Sequence, residues 1–193
     1  MLILGSSSPR RKEILSYFKI PFNVVLPDFD ELSIPYEGNP HEYAEKISSG
    51  KAQAIQKLNL GLPILTADTI VVLGNELFLK PNDKQEAFEM LSKLVGNTHK
   101  VITAVTLLDE EQTRTITTET FVTFHEYNSD EIKRYIDSIP VLDKSGSYAI
   151  QGIGSLIVKK IEGCFYSVMG LPLNATYQLL IEFGFDLWDH IKE

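Results

Sequence analysis

Hydrophobic positions change their spacing several times along the chain, and each change marks an element. Leu2 to Leu4 is a short apolar run that stops at Gly5 and the serines Ser6, Ser7 and Ser8. It reads as a strand ending in a turn. The next stretch carries apolar Ile14, Leu15 and Phe18, which predicts a helix with Ser8 at the N-cap and Pro9 as its first residue. Ile20 to Leu26 reads as a second strand. Asn39-Pro-His-Glu42 has the pattern of a capping box, and Ala44, Ile47, Ala54, Ile55 and Leu58 follow at helical spacing. Pro63 to Leu73 is nearly continuous and β-branched, as in a strand buried on both faces. Gly74-Asn75 turns it back into Leu77-Phe78-Leu79 as a hairpin.

Asn82 or Asp83 caps a further helix bearing Ala87, Met90, Leu91 and Leu94, with Gly96 placed just past its end. Val101 to Leu108 and Thr113 to Phe124 read as long strands joined by Asp109 to Gln112. The second is threonine-rich and alternating, with one wet face. Asn128-x-x-Glu131 caps a helix through Ile132, Tyr135 and Ile136 that stops before Pro140. Asp143 to Gly152 is irregular and leads into a strand from Ser155 to Ile161. A last helix spans Leu173 to Phe183 and ends at Gly184.

Composition narrows the class. A chain of 193 residues supports one compact domain or a two-lobed unit. With 44% hydrophobic and 23% charged residues it is of the soluble globular type. A net charge of −8 argues against coating nucleic acid, yet leaves room for a small phosphorylated ligand held by local cations. The single cysteine, Cys164, excludes an intrachain disulfide and a multi-cysteine zinc site. No apolar run approaches the ~20 residues of a membrane span. No secretory signal is evident, so the expected location is the cytoplasm.

Four local rules are broken along the chain. Arg10 and Arg11 crowd the first turn of a helix, where the dipole disfavours cations. With the serines Ser6 and Ser8 they make an anion receptor or, alternatively, a basic surface turn. Lys51 lies on an apolar helical stripe, four residues from both Ile47 and Ile55. It either snorkels to the edge or points into a polar pocket. Asp68 interrupts the buried strand, where a carboxylate costs several kcal/mol unless paired, hydrogen-bonded or bound to metal. Lys80 closes the hairpin, at the mouth of a cleft or simply on the surface. Asp28-Phe-Asp-Glu31 ends the second strand as a carboxylate cluster or a solvated turn.

Rule-breaking positions are where function is expected, and together these supply the parts of a phosphoester reaction. The cations neutralise a polyphosphate. Asp68 and Glu31 suit a hard divalent cation such as Mg²⁺ or Mn²⁺, and Asp68 suits a base towards water. Gln151 offers an amide to a base edge, or is an ordinary loop residue. The chain has no P-loop and no H-E-x-x-H, its four histidines are scattered, and Gly152-Ile-Gly154 lacks the third glycine of a dinucleotide fingerprint.

In this setting the chain resembles the Maf family of nucleotide pyrophosphatases over nearly its whole length. The resemblance rests on Ser6-x-Ser8-Pro-Arg-Arg11, Lys51-Ala52, Ala67-Asp68-Thr69, Lys80-Pro81, Gly96-x-Thr98-His99, Gln151-Gly152 and Ser167-Val-x-Gly-Leu-Pro172, in the family's order. It implies an elongated two-lobed α/β fold, a mixed sheet with flanking helices akin to inosine triphosphate pyrophosphatases. The lobes would enclose a nucleotide cleft within a single domain, residues 1–193, commonly as a homodimer. It also implies hydrolysis of a nucleoside triphosphate to monophosphate and pyrophosphate with a divalent cation.

By position, the resemblance makes Asp68 the proton acceptor. Ser6, Ser8, Arg10, Arg11, Lys51 and Lys80 become phosphate ligands, and Glu31 joins Asp68 as a metal ligand. Arg10, Thr69 and Gln151 become the residues that set base preference. The Tyr148-x-Ile-Gln-Gly152 segment is similar to the branch preferring dTTP and UTP. The alternatives are a purine enzyme of the inosine triphosphate type and a non-catalytic nucleotide-sensing regulator of septum formation. The sequence departs from the family pattern at Thr66, Leu79 and Ala149, where the family has glycine.

Overall fold

The computed structural model describes residues 1–191. Its helices are α1 (Pro9–Leu15), α2 (Pro40–Gln56), α3 (Lys84–Leu94), α4 (Ser129–Ser138), α5 (Phe165–Met169) and α6 (Leu173–Glu182). Its strands are β1 (Leu2–Gly5), β2 (Phe22–Val24), β3 (Ile64–Leu73), β4 (Glu76–Phe78), β5 (Thr98–Leu108), β6 (Thr113–Phe124) and β7 (Val158–Glu162). They form one seven-stranded mixed sheet in the order β2-β1-β3-β5-β6-β7, with β4 paired to β3. β1 is parallel to β2 and to β3, whereas β3–β4 and β6–β7 are antiparallel. The chain is thus an α/β protein. Among the described residues no helix is long and apolar enough to cross a membrane.

Two compact units divide the chain. The first comprises Met1–Asp68, Thr103–Thr118 and the residues from Gly170 on; the second comprises Thr69–Ile102 and Glu119–Met169. In the first, Ile3, Ala52, Ile55, Ile64 and Leu108 form an apolar cluster between α2 and strands β1, β3 and β5. In the second, Leu91 and Leu94 of α3 and Ile132 and Ile136 of α4 pack with Val71, Val101 and Val122. That core explains why the apolar stripes of α3 and α4 could be read from periodicity.

Several boundaries differ from the sequence reading for local physical reasons. α1 stops at Leu15, and Phe18 instead bridges to Ile191. β2 covers only Phe22–Val24 of the expected longer strand. Asn39 caps α2 by accepting from His41 N and Glu42 N, but Glu42 pairs with Lys46 at 2.8 Å instead of closing the box. The buried face of α2 is Tyr43, Ala44, Ile47, Ser48, Lys51, Ala52 and Ile55, so Leu58 beyond its end is exposed. Asn128 and Glu131 do form the full capping box of α4. Gly96 has φ 72°, but its N–H donates to the His125 carbonyl (3.0 Å) and not back into α3. Gly152–Ile157 coils into a 3-10 helix, which delays β7 to Val158, and the short helix α5 had no clear sequence signal.

Candidate active site

The buried strand β1 delivers the serine turn. Ser6 Oγ accepts from Ser8 N at 3.1 Å, and Ser8 Oγ accepts from Arg11 N at 3.5 Å as the N-cap of α1. Arg11 folds back over this turn. Its Nε donates to the Gly170 carbonyl at 2.7 Å, and Nη1 donates to Ser6 Oγ at 3.4 Å. Burial pulls the Arg11 guanidinium below its ordinary range, and the charges of Asp68 and Glu31 pull it back up. Arg11 therefore braces the serine turn against the segment opening α6, a role that the sequence did not separate from phosphate binding. Arg10, half-buried beside it, adds like charge.

The second cluster joins three elements. Lys51 Nζ donates to Asp68 Oδ1 at 2.7 Å and lies 2.8 Å from Glu31 Oε1. The side chains of Lys51 and Asp68 are only 7% and 9% exposed, and that of Glu31 is 41% exposed. Of the two readings of Lys51, the polar pocket is the one realised. The burial cost of Asp68 is offset by an opposite charge in hydrogen-bond contact. Thr66, two residues before Asp68 on β3, is tied to α2 by a hydrogen bond from its Oγ1 to the Ser48 carbonyl. In the acidic cluster only Glu31 reaches the ammonium. Asp30 instead caps the 3-10 turn Glu31–Ser33 by accepting from Leu32 N at 3.0 Å, and Asp28 is exposed.

Tyr43 went unnoticed in the sequence. It lies two steps of four residues before Lys51, on the same face of α2, and is buried. Its phenol is pushed up by burial and then by the charges of Asp68 and Glu31. The i, i+4, i+8 series Tyr43, Ile47, Lys51 was the signal that could have found it.

Thr69, Lys80 and Gln151 belong to the second unit. The Thr69 carbonyl accepts from Ser145 Oγ at 2.9 Å, and the Leu79 carbonyl accepts from Gly146 N at 3.2 Å. One turn, Ser145-Gly146, thus holds both Thr69 and the residue before Lys80, whose own side chain is exposed. Gln151 is half-buried at the start of the 3-10 turn Gly152–Ile157. Its loop is fastened by Tyr135, whose hydroxyl accepts from Ala149 N at 3.1 Å and donates to the Gly154 carbonyl at 2.7 Å. Next to that loop, Tyr148 OH and His99 Nε2 are 3.1 Å apart.

Glu31 and Asp68 bear carboxylate oxygens, the donor type that hard divalent cations such as Mg²⁺ take. Two carboxylates converge on one ammonium, and among the described residues no group of three or more His, Cys, Asp or Glu side chains could hold a metal alone.

These features define an α/β protein with a buried lysine–dicarboxylate cluster and a serine–arginine turn. The chain belongs to the Maf family: the family profile described as "Maf-like protein" matches residues 1–183. It is similar to a dTTP/UTP pyrophosphatase of Chlamydia caviae, 46% identical over 98% of this chain and 97% of that protein. A nucleoside triphosphate pyrophosphatase of Chlamydia muridarum is 42% identical, with the same shares covered. A dTTP/UTP pyrophosphatase of Ruminiclostridium cellulolyticum is 44% identical over 93% of this chain and 94% of its own.

Proposed function

We propose that the protein is a nucleoside triphosphate pyrophosphatase that prefers dTTP and UTP, releasing the nucleoside monophosphate and pyrophosphate. The observation that carries this reading is the buried Asp68 carboxylate, held by Lys51 in a cluster with Glu31. Family membership and the names of the relatives give it direction.

The proposed step is hydrolytic. A water oxygen bonds to the α-phosphorus, the bond from that phosphorus to the bridging oxygen breaks, and pyrophosphate leaves with the electron pair. The water's proton passes to Asp68. The Lys51 bond uses Oδ1, so Oδ2 is the oxygen assigned to the proton. Glu31 and Asp68 are the residues that would hold Mg²⁺ or Mn²⁺, which when bound supplies charge to phosphate oxygens and lowers the pKa of water. Arg10, Ser6, Ser8 and Lys80 are assigned to phosphates, and Lys51 joins them by exchanging a carboxylate contact for a phosphate one. Arg11 serves the same group mainly by fixing the turn through Gly170 and Ser6. Arg10, Thr69 and Gln151 are assigned to base preference.

Pyrophosphate release measured across UTP, dTTP, ITP and 7-methyl-GTP tests the reading. Asp68→Asn should lower the rate by roughly 10²–10⁴ while nucleotide binding largely survives. A wild type that binds nucleotide but releases no pyrophosphate with Mg²⁺ or Mn²⁺ would turn the reading to a nucleotide sensor. A wild type that prefers ITP would overturn the base assignment, and Gln151→Glu should shift preference away from UTP.

A further inference from the structure

Gly50 sits inside α2, where glycine is among the poorest helix formers. Its environment accounts for it. A methyl group at this position would lie 2.5 Å from both Cε2 and Cζ of Phe29, well inside van der Waals contact. The aromatic ring therefore rests directly on the helix backbone, in a notch that only glycine leaves open.

Both partners adjoin the buried charge cluster. Gly50 immediately precedes Lys51, and Phe29 is two residues before Glu31. Further along, the Glu31 segment meets α2 again where Tyr36 packs edge-on against Tyr43 and Glu37 pairs with Lys46. Asp28, Asp30 and Ser33 are exposed, and the apolar side chain after Glu31, Leu32, is 83% exposed. The Glu31–Lys51 ion pair involves a half-exposed carboxylate, and such pairs contribute little to holding a segment by themselves. The turn's own hydrogen bonds, from Leu32 N and Ser33 Oγ to Asp30, shape it without attaching it to α2. Two residues before Glu31, the seated ring packs this turn against the helix bearing Lys51.

We propose that Phe29, seated in the Gly50 notch, is a positioning residue that holds the Glu31 carboxylate on the Lys51 ammonium. Its effect on turnover rests on the pyrophosphatase reading above; its effect on geometry does not. Filling the notch forces the ring outward and draws Glu31 away from Lys51. Removing the ring takes away the packed contact two residues before Glu31. The same pairing would serve a divalent cation held by Glu31 and Asp68, since their separation is set partly by where the ring sits.

The test compares wild type, Gly50→Ala, Phe29→Ala and the double variant Gly50→Ala/Phe29→Leu. The first readout is the side-chain ammonium signal of Lys51 in proton–nitrogen NMR, protected from exchange by its two carboxylates. The second is pyrophosphate release from UTP as a function of Mg²⁺ concentration. Gly50→Ala should keep or raise the melting temperature, because alanine favours the helix, while weakening the ammonium protection. It should also raise the Mg²⁺ concentration for half-maximal rate several-fold and lower kcat/KM about tenfold. Phe29→Ala should weaken the ammonium protection and raise the Mg²⁺ requirement in the same way without a clash, and the shorter leucine should restore part of both signals in the Gly50→Ala background. An unchanged ammonium signal in both single variants would overturn the proposal. A changed signal in a protein whose wild type releases no pyrophosphate would uphold the positioning role and reject only the enzymatic reading.

Discussion

Thr66 Oγ1 donates a 2.7 Å hydrogen bond to the carbonyl of Ser48, and both residues are fully buried. Asp68 is two residues further along the same face of β3, and Lys51 is three residues further along α2. The helix and the strand are thus pinned twice, once by a neutral bond and once by an ion pair. The neutral bond fixes the level at which the ammonium meets the carboxylate.

Thr66→Val keeps the shape and removes this donor. The loss should be about 1 kcal/mol of stability, the usual net value of a buried hydrogen bond, visible as a lower urea midpoint with unchanged slope. Because the bond sets register, pyrophosphate release should fall several-fold as well. Thr66→Ser retains a hydroxyl and should recover most of both. Equal stability and rate for the valine variant would show that the ion pair alone sets the register.

Lys51→Met separates buried from exposed charge. It leaves Asp68, 9% exposed, without its ammonium, and breaking such a buried pair should cost about 3–5 kcal/mol. The exposed pair Lys84–Asp137, at 63% and 69% exposure, is the internal control. Lys84→Met should cost at most about 1 kcal/mol. Urea unfolding of the two variants measures the contrast, and similar losses would mean that Asp68 finds another donor when Lys51 is removed.

His99 supplies a pH dependence. It is buried between Phe124 and Tyr148, and burial lowers its pKa from the ordinary 6.5 to about 4. Between these values the unfolded chain binds more protons than the folded protein, so stability falls as pH falls. The contribution is complete above pH 6.5 and is lost progressively down to about pH 4. At about 1.4 kcal/mol per unit, the loss attributable to His99 approaches 3 kcal/mol. Urea midpoints taken from pH 7 to pH 4 should therefore decline, and more steeply for wild type than for His99→Gln. Parallel declines would assign the effect to the carboxylates instead.

Much of this was legible in the sequence where a signal is local. The capping box Asn128–Glu131, the Gly74-Asn75 hairpin and the limits of β6 follow from short-range chemistry and came through intact. Asp68 and Lys51 were legible as anomalies, since a charge in an apolar pattern is visible without a structure. Their pairing was not, because the two lie 17 positions apart and the intervening stretch carries no record of which face meets which. The bracing bond of Arg11 was not legible either. Its bond to Gly170 spans 159 positions, and nothing near either residue announces it. Gly50 was passed over because a helix glycine explains itself only when the ring resting on it is seen.

Base preference offers the last test, because a single hydroxyl bonds both sides of the loop that carries Gln151. Tyr135 OH accepts from Ala149 N and donates to the Gly154 carbonyl, closing the loop at both ends. Burial pushes this phenol up to about 12, so it remains a donor across the working pH range. The clamp is tight: a methyl group on Gly154 would lie 2.6 Å from the Ala149 Cβ. Tyr135→Phe keeps the ring in the α4 core but leaves a buried N–H and a carbonyl unsatisfied, for a loss of about 1–3 kcal/mol. A loosened loop no longer presents the Gln151 amide at a fixed distance, and poor hydrogen-bond geometry weakens discrimination first. KM for UTP and dTTP should therefore rise, with kcat largely retained, while the poor substrate ITP changes little. If UTP and ITP lose rate in equal measure, Tyr135 supports the fold alone and the loop does not read the base.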